Sequence, residues 1–266
     1  MHIENTTVLA HRAVNDSYRV LTLKSKDISQ EVRPGQFVHL RAPSPATAVL
    51  RRPFSVFHAK SGSLALLYKC VGRGTRAMAS LRRGDTVNII GPLGNGFPGM
   101  QKNSFPVLVA GGYGAAPLYF LASRAREKGI AFIGGKSAGD ILCAEDFRRL
   151  GWKVRPATED GSSGKKGLVT AALDEWLKEN PPARNPEFFA CGPSGLLQAI
   201  CERVAVVRGS RGWVSMDQHM GCGLGACLAC VHRVRTRGPE GGKTTTLARV
   251  CTEGPVFNCR DIVWDG

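Results

Sequence analysis

The chain has 266 residues, 43% apolar and 21% charged, with 32 Gly and nine Cys. That length suits two compact domains or three small ones, and the apolar content excludes a disordered chain, a collagen-like fibre and a miniprotein scaffold. The net charge of +15 is uneven, at +10 over residues 1–103, +4 over 104–214 and +1 over 215–266.

The cations come as pairs such as Arg51-Arg52 and Arg82-Arg83 between strand-like runs, with no basic tail. Phosphates of a small ligand or an acidic protein face suit that field as well as a polyanion does, so nucleic acid ranks low as a partner. Met1-His2-Ile3-Glu4-Asn5 lacks the basic stretch and apolar run of a secretory signal, and a cytoplasmic location is expected. In that compartment the cysteines are not expected to form structural disulfides, and metal ligation is the first question for any cluster of them.

From residue 6 to about 92, short apolar runs at 18–23, 37–40, 54–57, 64–68 and 86–90 read as strands. Pro34-Gly35, Ser61-Gly62 and Arg83-Gly84-Asp85 punctuate them at the spacing of an antiparallel barrel or sandwich, with one helix at 75–81. The Gly- and Pro-rich run 91–99 marks a boundary. Beyond it, strands at 105–110, 130–133, 152–156 and 187–190 alternate with helices at 115–127, 143–150, 169–178 and 194–207. That alternation predicts a parallel α/β sheet with crossovers. Residues 103–123 carry no charge over the length of a membrane span. Gly111, Gly112, Gly114 and Pro117 in their middle fit a strand, a glycine turn and a buried helix better than a bilayer segment. Residues 215–266 have too few large apolar side chains for a core of their own, so the cysteines are expected to hold them. The predicted units are 1–99, 100–213 and 214–266.

Cys222-x4-Cys227-x2-Cys230, followed after twenty residues by Cys251, is the plant-type spacing of a two-iron, two-sulfur cluster. Three thiolates so close together require a loop folded around the metal, and Gly221, Gly223, Gly225 and Ala226 let backbone amides approach the sulfurs. Structural zinc asks for a second C-x2-C pair, and Cys251 and Cys259 stand too far apart in sequence to supply one. Cys70, Cys143, Cys201 and Cys259 have no such company, and the first three read as small buried hydrophobes.

Gly111-Gly112-Tyr113-Gly114, between an apolar strand and a helix, is where a pyrophosphate docks on amides, although Pro117 stands where the third glycine of the full fingerprint falls. An ordinary tight turn explains the glycines equally well. Cys191-Gly192-Pro193 and the run 158–162 follow strands and belong to the same sheet edge. In the barrel, Arg52-Pro53-Phe54-Ser55 places a guanidinium, an aromatic ring and a hydroxyl on one strand, and the run 68–75 adds cations and glycine amides for the same anion.

This order of parts resembles the ferredoxin–NADP reductase superfamily. The runs 220–230 and 249–257 resemble, within it, the electron-transfer subunits of NAD-dependent (class 1B) dihydroorotate dehydrogenases. The resemblance implies an N-terminal antiparallel β-barrel binding FAD, a central Rossmann-like parallel α/β sheet binding the nicotinamide nucleotide, and a small C-terminal iron–sulfur domain. It places Arg52 on the FAD pyrophosphate and Ser55 near flavin N5, with Pro53, Phe54, Leu67, Tyr68, Lys69, Gly74 and Thr75 as further FAD contacts. It places NAD at Gly111, Gly112, Gly114, Cys191, Gly192 and Pro193, with Cys191 near the reacting carbon, and the 2Fe-2S cluster on Cys222, Cys227, Cys230 and Cys251. No catalytic acid or base is implied.

The resemblance further implies electron passage between NAD(H), FAD, the cluster and a separate FMN-containing catalytic subunit that oxidises dihydroorotate in pyrimidine (UMP) biosynthesis. The implied assembly has two copies of each chain and no membrane or nucleic-acid partner. Lys136-Ser137 stands where a 2′-phosphate can be met, and NAD over NADP rests on the resemblance alone. Residues 237–243 read as an extension of a hairpin, and the basic N-terminal third as a match for an acidic partner face. The alternatives are a flavin subunit serving a ferredoxin or a hydrogenase, and a non-enzymatic iron–sulfur sensor. Cys222 argues against NADPH-dependent ferredoxin reduction, where the resemblance expects Asp as first ligand.

Overall fold

Six strands close an antiparallel barrel. The strands are β1 (His2–Ala13), β2 (Tyr18–Lys24), β3 (Phe37–Leu40), β4 (Arg52–Lys60), β5 (Ser63–Lys69) and β6 (Thr86–Leu93), in the order β1-β2-β5-β4-β3-β6. The computed structural model describes residues 1–43, 50–180, 185–237 and 242–264. Leu21, Leu23, Val38, Leu40, Val56, Leu64, Leu66 and Ile89 fill the barrel. β1 is a strand that the apolar runs do not reveal, because it buries only Thr6 and Val8. Two short helices, α1 (Ile28–Glu31) and α2 (Arg73–Met78), lie on the barrel connections. α2 begins earlier than the expected 75, since Gly72 is its N-cap and Thr75 Oγ1 accepts the amides of Val71 and Gly72 at 2.9 and 3.0 Å.

The second layer is a sheet of β7 (Phe105–Gly111), β8 (Ile130–Gly135), β9 (Lys153–Thr158), β10 (Lys165–Lys166), β11 (Pro186–Cys191), β12 (Arg211–Ser215) and β15 (Val256–Asn258). Its order is β10-β9-β8-β7-β11-β12-β15, with every pairing parallel except that of β15 with β12. The crossovers carry α3 (Ala115–Arg124), α4 (Ala144–Arg149), α5 (Val169–Glu179) and α6 (Ser194–Val206). Cys143 precedes α4 instead of opening it, in the left-handed conformation at φ 62°. α3 stops at Arg124, three residues before the expected end, and among the described residues no helix is long and apolar enough to cross a membrane.

α3 also joins the two layers. Phe120 is buried in the barrel's own cluster, Tyr119 lies 4.8 Å from Phe57 ring to ring, and Arg124 donates to the Ala59 carbonyl at 3.2 Å. The run 91–99 is likewise clamped: Asn95 Nδ2 donates to the carbonyls of Thr252 and Glu253, and the Phe97 amide donates to that of Pro34.

Beyond β12 the chain forms the cysteine loop, a hairpin of β13 (Val231–Arg237) and β14 (Lys243–Arg249), and then β15. Residues 238–241, the centre of the extension read at 237–243, lie outside the described residues. The expectation that cysteines alone hold this segment needs correction. Cys230, Val250, Cys251, Cys259 and Ile262 are buried in one cluster with Val107, Phe188 and Val214 of the sheet, so its few apolar residues are spent on a shared core. Cys259 also has company that its spacing conceals, since its thiol lies in hydrogen-bond contact with that of Cys201 on α6. Cys201 is buried as expected, whereas Cys70 and Cys143 are only partly so.

A polar hub fixes the barrel to the sheet. Asp140, after β8, accepts the Tyr18 hydroxyl at 2.6 Å and the Lys69 ammonium at 3.3 Å on one oxygen, and the Lys136 amide at 3.2 Å on the other. Burial opposes ionisation of this carboxyl, but the bonds from Tyr18 and Lys69 outweigh it and hold its pKa below the ordinary 3.8. A depressed carboxylate pKa stabilises the fold above the unfolded value and loses that contribution as pH falls through the folded one. Asp140→Ala is therefore expected to cost about 2 kcal/mol at pH 7. In urea titrations the gap to the wild type should narrow as the pH drops below 3.8.

Candidate functional site

A cavity of about 810 Å³ opens at the seam of the barrel, the sheet and the cysteine segment, a volume suited to a cofactor. Arg52, Pro53, Phe54 and Ser55 on β4, Leu67, Tyr68 and Lys69 on β5, and Thr75 on α2 line its barrel side. Gly74 stands just behind them: a methyl group there would lie 3.3 Å from Arg52 Nε, so its hydrogen lets the guanidinium rest on the α2 backbone. Both adjacent arginines line the cavity but are held differently: Arg51 donates to the carbonyl of Asn88 at 3.2 Å and to its side-chain oxygen, which ties it to β6, while Arg52 donates to the neighbouring carbonyls of Leu50 and Arg51. Tyr68 gives the cavity its ring, and its hydroxyl meets His11 Nε2 at 3.0 Å. Lys69 reaches away to Asp140, so it serves the seam as well as the cavity.

The two glycine turns meet at the ends of neighbouring strands β7 and β11. A Cβ on Gly114 would stand 2.1 Å from the Cys191 carbonyl oxygen, and one on Gly111 would stand 2.8 Å from Pro193 Cδ. A Cβ on Gly192 would stand 3.0 Å from the Gly111 amide nitrogen, and Gly112 takes φ 53°. Gly111, Gly114 and Gly192 are thus required by close contact between the turns and Gly112 by its left-handed backbone, and of the six residues read as NAD contacts only Cys191 lines the cavity.

Cys191 is buried at the end of β11, with Ser215 as a hydrogen-bond neighbour. Burial, with Asp217 nearby, pushes its thiol pKa up to about 12, so it stays protonated. Beside it Tyr113 is half exposed and donates its hydroxyl to Asp217 Oδ2 at 2.6 Å. Burial and that carboxylate raise the phenol's pKa well above its usual value. Tyr113 and the run 215–221 extend the wall, and sequence reading gave no site role to the Tyr113 side chain or to 215–219. Their one signal was position, Tyr113 inside the glycine turn and 215–221 directly before the first cluster cysteine.

The cysteine loop begins where that wall ends. Gly223, Gly225 and Leu228 all take left-handed φ, at 71°, 84° and 57°, and so wind the chain tightly around its sulfurs. Cys222 Sγ accepts the amides of Leu224, Ala226 and Cys227 at 3.3, 3.3 and 3.4 Å, and Cys227 Sγ accepts that of Cys222 at 3.4 Å. Desolvation opposes the thiolate, but these amides outweigh it and lower the Cys222 pKa to about 6. Cys230 Sγ accepts the Cys251 amide at 3.4 Å. Burial and the Cys230 sulfur push the Cys251 thiol up to about 11. The Arg249–Glu253 pair at 2.9 Å braces the return of the chain.

The sulfurs thus form two pairs, Cys222 with Cys227 and Cys230 with Cys251, the second pair buried. Among the described residues no three metal-ligating side chains converge on a point that could hold a metal ion. Two pairs, with amides already aimed at sulfur, suit a binuclear cluster in which each iron takes two thiolates.

Comparison with known proteins agrees with this geometry. Residues 5–97 match the oxidoreductase FAD-binding domain, and 217–263 match the iron–sulfur cluster binding domain of dihydroorotate dehydrogenase B. The chain is 36% identical to the dihydroorotate dehydrogenase B (NAD(+)) electron transfer subunit of Geobacillus kaustophilus, covering 98% of each chain. It is 33% identical to that of Fusobacterium nucleatum, over 98% of this chain and 99% of the other. Among solved structures, an NADH-dependent reduced ferredoxin-NADP oxidoreductase superposes with a TM-score of 0.82 at 27% identity, over 98% of this chain and 90% of the other. By sequence along nearly its whole length, by its two domain matches and by the cavity they share, the chain belongs to the family of dihydroorotate dehydrogenase B electron-transfer subunits.

Proposed function

We propose that this chain carries electrons between NAD(H) and an FMN-containing dihydroorotate dehydrogenase catalytic subunit, by way of FAD and a 2Fe-2S cluster. The carrying observation is that one cavity wall runs from the flavin motif of β4, past Cys191 and Tyr113, to the residues that lead into Cys222. When bound, the flavin and the cluster together convert a two-electron hydride exchange into single-electron steps.

The chain's own residues supply binding and exclusion. Arg52 holds the diphosphate, with Gly74 and Thr75 below it, and Pro53, Phe54, Leu67 and Tyr68 wall the ring off from water. Ser55 faces the flavin as a hydroxyl donor. Cys191, protonated, and the Tyr113–Asp217 pair stand at the sheet edge, where Gly111, Gly112, Gly114, Gly192 and Pro193 hold the two turns for NAD. Cys222, Cys227, Cys230 and Cys251 hold the cluster. The stretches 1–99, 100–213 and 214–266 are read as the corresponding functional units, in a cytoplasmic assembly of two copies of each chain.

Anaerobic purification tests the cluster: the chain should be brown and hold equal iron and acid-labile sulfide, and Cys222→Ser should lose most of both. A colourless or zinc-loaded wild type would overturn the assignment. For the flavin, Arg52→Ala is expected to weaken FAD binding by about 10- to 100-fold, the worth of a charge-assisted phosphate contact. Titration of the apoprotein with FAD, followed by fluorescence, checks this. Recovery with a dihydroorotate-oxidising chain supports the partner, and recovery with a hydrogenase or ferredoxin in its place would overturn it.

A further inference from the structure

His39 belongs to the barrel yet touches the cysteine loop. It sits on β3, opposite Pro53 of the flavin strand β4 and opposite Ile90 of β6. The residue is 1% exposed, with the Phe37 ring edge-on at 5.9 Å. Neither of its ring nitrogens has a hydrogen-bond partner among the described residues. A barrel position of this kind is normally filled by an apolar side chain, because an unsatisfied buried polar group is costly. The ring edge bearing Nδ1 and Cε1 abuts Gly223, the residue after Cys222: a Cβ there would stand 2.6 Å from both atoms. Burial, with Arg51 and Arg52 nearby, lowers the imidazole's pKa to about 4, which leaves one N–H to donate and one nitrogen to accept at neutral pH.

A second orphan stands by the same loop. The Thr252 hydroxyl, beside Cys251, is buried without a partner among the described residues, and a Cβ on Gly225 would lie 3.3 Å from it. Two unsatisfied donors, one from the barrel and one from the return of the chain, therefore flank the segment that holds Cys222 and Cys227.

We propose that His39 is a positioning residue for the cluster, donating a hydrogen bond from the flavin barrel to a sulfur held by the Cys222 loop and so setting the cluster's potential. The inference rests on the cluster assignment above. Reduction places more negative charge on the sulfurs, so a donor there stabilises the reduced form and raises the potential.

The test uses the full chain with its catalytic partner and compares wild type, His39→Leu and His39→Gln by redox titration followed with electron paramagnetic resonance. Iron and sulfide are assayed in each sample. The Leu variant should shift the one-electron equilibrium of the cluster about tenfold toward the oxidised form, about 59 mV more negative. His39→Gln, which keeps a donor, should recover part of that shift, and the flavin couple should not move. An unchanged cluster potential in a fully loaded Leu variant, or a shift confined to the flavin, overturns the proposal. Should the Leu variant fail to load, pulsed resonance on wild type grown with 15N-histidine still decides. A nitrogen coupling to the reduced cluster that disappears in His39→Gln supports the bond, and no coupling in the wild type refutes it. Iron-free wild type is a separate failure, because it removes the cluster assignment itself.

Discussion

The pairing of β15 with β12 fixes the cysteine segment in space, and the site depends on it. Val256 to Asn258 run antiparallel to Trp213 to Ser215, so the chain leaves the sheet at Ser215, forms the loop and hairpin, and returns to the strand it left. The excursion begins and ends at one sheet edge. Its two buried motif cysteines, Cys230 and Cys251, lie in the sheet's own apolar cluster, so the core that stabilises the sheet also holds the buried pair of the cysteine segment. A segment too poor in apolar residues to fold alone becomes rigid by borrowing a core.

Close backbone approach does comparable work at the other end of the cavity. The turns after β7 and β11 touch where a single methyl group would collide with a carbonyl, and this contact sets the height of Cys191 and Tyr113 at the sheet edge. Glycine is needed there for packing, whether or not a phosphate binds. The same residue type is needed at Gly74 so that the Arg52 guanidinium can approach, and at Gly223 so that the loop can lie against His39. In each case the missing Cβ lets a polar group and the backbone approach closely.

How much of this was legible depends on whether the determining contact is local. The central barrel strands announce themselves as short apolar runs between turn residues, and the parallel strands by continuous apolar runs such as Val107–Ala110, because burial leaves a local trace in the sequence. β1 leaves none, since it buries two side chains in twelve residues. β15, three residues long, owes its strand conformation entirely to its partner. The cysteine motif is legible because its spacing is a local pattern, whereas the Tyr113–Asp217 bond joins residues 104 positions apart. The same holds for His39 beside Gly223 and for Cys201 beside Cys259, contacts that exist only once three parts of the chain have docked.

The charge surplus shows the same limit from the opposite side. Ten excess cations in the first 103 residues suggest a field directed at a partner, but some of these side chains are already committed. Arg51 is held by Asn88, Lys69 by Asp140, and Arg52 faces the cavity. All three line the cavity, and each has a neighbour that a long-range field would not choose: an amide side chain, a carboxylate shared with a tyrosine, the carbonyls of Leu50 and Arg51. Part of the basic character of this barrel therefore belongs to its assembly with the rest of the chain and to the cavity they enclose, and only the remainder is left to act at a distance, where salt screens it within about 10 Å.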